Sequence, residues 1–367
     1  MTTPLAVLDL SPVPSGSGPG DALRNTIDLA RHVEEFGYHR YWLAEHHFAR
    51  GVASSATAVL MGAVAGATRR IRVGSGAVQV GHRTALSVAE SFGTLDALYP
   101  GRIDLGLGRS GQRRSETAAP PAPAPARVVD GLLIPAAFSF SHLFTTPRFR
   151  AYGKLLQQPG AETPDFADQV DDLLALLRGT WVSPDGIDAH AVPGEGADLQ
   201  VWILGSSAGQ SARVAGALGL PFGANYHVSP ATVLEAVRAY RDAFTPGMLD
   251  RPYVSVSADV VVAPTDAEAR ELASPYGLWV RSIRGGGGAI PFPGPAEARA
   301  HVWSDEDRAL VADRLDTQFV GAPDTVTAAL RTLRDVTGAD ELLITTITHD
   351  HTDRVRSYEL LAKEWNR

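Results

Sequence analysis

The 367-residue chain predicts a closed (β/α)8 barrel of the TIM type, and three observations carry the prediction. Eight apolar, strand-like runs alternate with helix-like stretches along almost its whole length. The second run ends in Glu45-His46-His47, three titratable groups placed where such a barrel presents its catalytic face. No glycine-rich turn follows the first run, which disfavours a doubly wound open sheet.

The expected strands are Leu5–Leu10, His39–Leu43, Ile71–Val80, Arg102–Leu107, Leu199–Leu204, Leu220–Asn225, Tyr253–Val262 and Glu341–Ile347. Most are short runs rich in Val, Ile and Leu, as strands covered on both faces require. Helices are expected over Asp21–Phe36, Ser54–Ala67, Leu86–Leu98, Asp165–Arg178, Gly209–Leu218 and Pro230–Phe244, with more from Asp266 onward. The first carries Leu23, Ile27, Ala30, Val33 and Phe36 near one helical face, and Gly37 stops it. The reading is one barrel domain over 1–367 with two departures from rhythm, one after the fourth strand and one after the seventh. Residues 111–163 form an extended insertion, Pro/Ala-rich over Ala118–Ala126 and aromatic over Phe138, Phe140, Phe144, Phe149 and Tyr152. Residues 284–295, with Gly285 to Gly288 followed by prolines, read as a flexible loop, either a linker or a lid.

Composition narrows the function. A net charge of −8 without a dense basic block argues against nucleic-acid binding. The chain has no cysteine, so disulfides, thiolate nucleophiles and cysteine-ligated metals are excluded. No secretory signal and no apolar run of membrane-spanning length is visible, so a cytoplasmic protein without a membrane partner is expected.

Among candidate residues, Glu45, His46 and His47 suit proton chemistry near neutral pH better than metal binding, because adjacent strand side chains face opposite ways. Either histidine could instead be a hydrogen-bonded structural group. Ser75-Gly76-Ala77 lets a flat ring approach the backbone, or serves only tight barrel packing. Arg109, at the mouth of the fourth strand, could hold an anion or make an ordinary salt bridge. Gly205-Ser206-Ser207-Ala208-Gly209-Gln210-Ser211 opens a helix and offers an anion site, or a serine N-cap. His349 and His351 share strand parity and keep a metal-dependent hydrolase in play, although Asp350 and Asp353 suit the start of a helix.

Taken together, Gly37 to His47, Arg70 to Val78, Glu90 to Asp96, Gly101 to Arg109, Leu204 to Ser207 and Val320 to Pro323 resemble the bacterial luciferase-like flavin monooxygenases. Within that family the likeness is nearest to luciferase-like oxygenases that tailor antibiotics in actinomycetes. The resemblance implies a barrel, usually a homodimer, that uses reduced FMN supplied by a separate flavin reductase. It implies oxygenation of a small organic, polyketide-like substrate through a C4a-peroxyflavin. His46 then lies beside the reactive flavin face, supported by Glu45 and His47. Gly76-Ala77 becomes a non-prolyl cis peptide under the ring, with Ser75 beside it, and Arg109 a cation near the cofactor. Ser206, Ser207, Gly209 and Ser211 fall in the phosphate turn. Asn225, Tyr226 and His227 face the mouth toward substrate. A deazaflavin F420-dependent oxidoreductase of the same fold and a non-catalytic flavin-binding protein are the competing readings.

Overall fold

The computed structural model describes residues 3–109 and 124–367. Eight parallel strands close the barrel: β1 Leu5–Asp9, β2 Arg40–Leu43, β3 Arg72–Ser75, β4 Ile103–Gly108, β5 Gln200–Gly205, β6 Phe222–Asn225, β7 Val254–Val262 and β8 Glu341–Thr345. Neighbours follow chain order, and β8 pairs with β1 as β6 pairs with β7, so the sheet has no edge in the ring. All eight runs expected as strands become barrel strands. One is broken. The Ile71–Val80 run stops at Ser75, a cis Gly76-Ala77 peptide follows, and Val78–Gln79 then resumes pairing with β4. Across the gap the Ser75 hydroxyl both donates to Gly106 O and accepts from Gly106 N, each at 2.9 Å, replacing the missing backbone ladder.

Side-chain alternation sorts the core into two layers. Val7, Tyr41, Leu43, Val73 and Phe222 point outward under the helices. Leu8, Trp42, Ala44, Trp202 and Leu343 fill the barrel, with Trp42 and Trp202 edge-on at 5.0 Å. Beneath them, at the strand N-termini, Arg40 bridges Asp104 and Glu341. The first helix, Pro19–Glu35, turns its face about one residue from the expected stripe. Ala22, Thr26, Leu29, Ala30 and Val33 are buried, while Leu23, Ile27 and Phe36 pack at its edge. The cause is polar: the Thr26 hydroxyl donates to the buried Asp9 carboxylate at 2.8 Å.

After β4 comes the hairpin Arg127–Val129 with Leu132–Ile134, then helices Ser141–Phe144 and Pro147–Leu156. Part of the expected Pro/Ala-rich stretch lies outside the described residues. After β7 come helices Asp266–Ala273, Tyr276–Arg284, Pro295–Ala300 and Asp305–Asp316, and a strand Phe319–Gly321 that pairs in parallel with the end of β7. Arg284 is not loop but the buried end of its helix, paired with Asp313. Ala289 and Phe292 are tied by backbone bonds to Gly51, Val13 and Ser15. No helix among the described residues is long and apolar enough to cross a membrane.

Candidate active site

Strand parity decides which of the three residues after β2 enters the barrel. Trp42 and Ala44 face inward and Tyr41 and Leu43 outward. Carried two residues further, the alternation sends His46 into the mouth and Glu45 and His47 to its outer side. The bonds agree. Glu45 Oε1 meets His47 Nε2 at 2.8 Å and accepts from Arg83 Nη2 at 3.2 Å, while Oε2 is buried without a partner among the described residues. Burial pushes the Glu45 carboxyl up, but His47 and Arg83 outweigh it and hold its pKa below the usual carboxylate range. Glu45 is thus an anchoring anion rather than a proton donor. Its carbonyl accepts from Gln79 Nε2 at 2.8 Å, and Gln79 Oε1 accepts from the Tyr152 hydroxyl at 2.8 Å.

His46 is fastened through its backbone, whose N–H donates to Ser54 O at 2.9 Å, and its ring opens onto the cleft. The protein surrounding the mouth and the neighbouring His47 lower its pKa to about 4, so the ring is neutral at pH 7. Across the interior, Gly223, Asn225 and His227 share inward parity. His227 Nδ1 lies 2.7 Å from Ser257 Oγ. Burial, then Arg314 and His46, lower its pKa to about 3. Asn225 accepts from Val228 N at 2.8 Å and closes the turn after β6. Tyr226 departs from expectation. Parity turns it outward, where it is buried in the outer core and its hydroxyl donates to Leu133 O of the hairpin at 2.8 Å. It does not face the mouth.

Between His46 on β2 and His227 on β6 lie the ends of β3, β4 and β5. Gly76 and Ala77 are partly exposed there. Ser75 is not: it is fully buried and its hydroxyl is used on Gly106, which leaves no side-chain group for a cofactor. A Cβ at Gly106 would lie 2.1 Å from Ser75 O, so that glycine serves packing. Arg109, past β4, donates to Gln210 Oε1 at 3.3 Å, and Gln210 Nε2 donates to Asp165 at 2.8 Å. Arg109 is thereby drawn to the start of helix Gln210–Ala217. That start has Gly209 at its N-cap and no side-chain cap, so neither Ser206 nor Ser207 spends its hydroxyl there. Ser206 and Ser207 reach the surface, and Ser211 lies buried in the first turn. A cation and an uncapped helix start meeting at one edge of the mouth form a ready anion site.

His349 and His351, weighed as a chelating pair, go to different partners: Ser15 O at 3.1 Å and Asp28 Oδ2 at 2.8 Å. Asp350 caps helix His351–Trp365 by accepting from Thr352 N. Sequence reading missed Gln79, Arg83, Ser257 and Arg314. Only Asp259 left a signal, as a charge inside the apolar run of β7. It binds Arg314 Nη2 at 3.0 Å and the Tyr276 hydroxyl.

The profile of the luciferase-like monooxygenases matches residues 3–130 and 145–341. The chain belongs to this family. Among luciferase-like relatives, uncharacterized protein YvbT of Bacillus subtilis is 40% identical over 365 residues, covering 99% of this chain and 97% of that one. A luciferase-like monooxygenase of Escherichia coli K12 is 35% identical over 361 residues, covering 98% and 96%. The structure of apo-MsnO8 superposes with a TM-score of 0.79 at 32% identity, covering 99% and 98%. Two more distant structures share the fold. One is the oxygenating constituent of 3,6-diketocamphane monooxygenase from Pseudomonas putida in complex with FMN, a type II Baeyer–Villiger enzyme (TM-score 0.63, 19% identity, coverage 99% and 98%). The other is an F420-dependent secondary alcohol dehydrogenase (TM-score 0.62, 14% identity, coverage 98% and 98%).

Proposed function

We propose that this member of the family is a monooxygenase that uses reduced FMN and O2 to oxygenate a small organic substrate. The observation that carries the reading is the anion site at the ends of β4 and β5, flanked by neutral His46 and His227 in one mouth. Arg109 and the N–H groups opening helix Gln210–Ala217 would hold the phosphate, with Ser206, Ser207 and Ser211 beside it. Gly76 and Ala77 would lie against the ring. When bound, the reduced flavin supplies the activation of O2. The protein's share is to fasten the phosphate, orient the ring, exclude water and move a proton at the His46 ring. Glu45 and His47 act through the loop that carries His46, and Asn225 and His227 are left to meet substrate. The reduced flavin would come from a separate reductase.

Anaerobic titration with FMN, FAD and deazaflavin tests this. The expected order puts reduced FMN first, and Arg109→Ala should weaken FMN roughly 10-fold, the loss of one charge-assisted contact. A clear preference for deazaflavin, the cofactor class of the F420 relative, would replace oxygenation by hydride transfer. Tight FMN binding without any O2 consumption would leave a flavin-binding protein.

The reading includes a homodimer. Helix Thr57–Ala67 carries no charged residue, yet Val59 in its first turn is 77% exposed. Such a face suits a second copy of itself. Sedimentation of Val59→Asp, expected to shift toward monomer, checks it; an unchanged mass removes this face from the interface.

A further inference from the structure

The wall of the mouth opposite His46 holds a single imidazole whose tautomer can be worked out from its neighbours. Ser257 is 3% exposed, and its Oγ has two contacts: His227 Nδ1 at 2.7 Å and Ala224 O at 3.3 Å. A hydroxyl has one proton to give. A carbonyl oxygen can only accept, so both contacts are hydrogen bonds in one arrangement alone: Ser257 donates to Ala224 O and accepts from His227 Nδ1–H. The reverse arrangement, with Ser257 donating to Nδ1, leaves two lone pairs facing each other at Ala224 in a buried site. The Nδ1–H tautomer leaves Nε2 bare. Among the described residues Nε2 has no hydrogen-bond partner, and it is not closed off from solvent.

The surroundings decide what that lone pair suits. Arg314 stands near His227; its Nη2 is committed to Asp259 and the Tyr276 hydroxyl, while its Nε is buried without a partner among the described residues, so a cationic donor remains in this wall. Neighbouring His46 is itself uncharged at neutral pH. The Ser257–His227 pair therefore offers a neutral acceptor.

We infer that Ser257 locks His227 as a hydrogen-bond acceptor, and that the enzyme selects substrates presenting an O–H or N–H donor over donor-free analogues. This deepens the monooxygenase reading and rests on it. The class is that of phenols, enols and amides rather than ethers or esters. Ser257 is then a positioning residue, acting only through the ring it orients.

The test separates the tautomer, the selectivity and the flavin reading. Histidine 15N spectra of the full-length protein, with His227 assigned by its absence in His227→Phe, should show Nδ1–H in wild type and a mixture of tautomers in Ser257→Ala. Binding of two small aromatic probes to the FMN-loaded protein should then rank phenol above anisole by roughly 5- to 10-fold, the worth of one net hydrogen bond. His227→Phe should erase that ranking and Ser257→Ala should shrink it. An Nε2–H tautomer in wild type overturns the proposal, as does equal binding of phenol and anisole, or no phenol binding while FMN binding is intact. Failure of FMN itself to bind would overturn the cofactor reading instead, and the spectra together with probe binding to the flavin-free protein would still decide for or against the His227 acceptor.

Discussion

The two ends of the barrel both hold ionisable side chains, and they treat them in opposite ways. At the N-terminal end Arg40 lies between Asp104 and Glu341, at 2.6 and 3.0 Å, with its guanidinium 4.8 Å over the Trp202 ring. Asp104 also accepts from Arg72 Nε at 2.7 Å and Trp42 Nε1 at 2.9 Å. Burial works against the Arg40 charge, and Glu341 and Asp104 more than offset it. At the C-terminal end His46 and His227 are uncharged, and their rings keep nitrogens open to the cleft. Groups that satisfy one another close the barrel. Groups left open are available to a ligand. Substitutions at the two ends should therefore separate stability from chemistry.

The largest effect belongs to the mouth. If His46 moves a proton beside the flavin, His46→Ala should keep the fold and most FMN affinity while coupled oxygenation falls by roughly 10²–10⁴-fold, the usual worth of a general acid or base. Oxygen uptake should then appear as H2O2. Product yield that stays at the wild-type level with the purified variant would remove His46 from the chemistry.

Next comes the floor. Arg40→Leu strands Glu341 and half of Asp104 in a dry site, and breaking a buried pair from one side costs about 3–5 kcal/mol. Urea unfolding should show that loss, while the folded fraction binds FMN as before. A variant as stable as wild type but unable to bind FMN would erase the distinction between the ends.

The sequence made much of this legible, and unevenly. Strand runs were readable because each barrel strand is largely buried and carries an apolar outer face, and Glu45-His46-His47 stood out because titratable groups follow such a run. The break at Gly76 was not readable from periodicity, since Ser75 repairs it with a side-chain bond that only the third dimension shows. Tyr226 could have been placed by counting parity along β6, which sends it outward with Phe222 and Ala224. Ser257 and Arg314 could not, because what matters about them is the side chain each meets on another element. The same holds for the serines of the phosphate turn: the cap reading fell away only when Gly209 was seen to start the helix uncapped.

A smaller effect follows from the neutral imidazoles. His46 and His227 have pKa values lowered from an ordinary 6.5 to about 4 and about 3, so below pH 6.5 the unfolded chain binds protons that the native chain refuses. Stability should thus fall as pH drops through 6.5 and keep falling toward 4. His227→Asn should flatten part of that slope in urea midpoints measured across the same window. An unchanged slope would mean that the mouth does not hold His227 neutral.

The smallest effect concerns what covers the mouth. Arg148, on the inserted helix Pro147–Leu156, donates to Phe48 O and places its guanidinium 4.2 Å over the Phe48 ring. A Cβ at Gly288 would lie 2.7 Å from its Nη2, so the glycine run passes directly over it. Phe48, at φ 55, follows His47 in the left-handed region that non-glycine residues rarely occupy. One guanidinium thus joins the loop of His46, the insertion and the glycine run, all on the C-terminal side. The floor is held by buried ions, whereas this junction rests on a half-exposed cation–π contact and one hydrogen bond. Arg148→Ala should therefore cost only about 1 kcal/mol. Its signature should be local: faster amide exchange at 46–51 and 285–290, and a rise of roughly two- to fivefold in H2O2 released per turnover if closure excludes water. Faster exchange at these segments without any added leak would show that the junction orders the loops but does not seal the mouth.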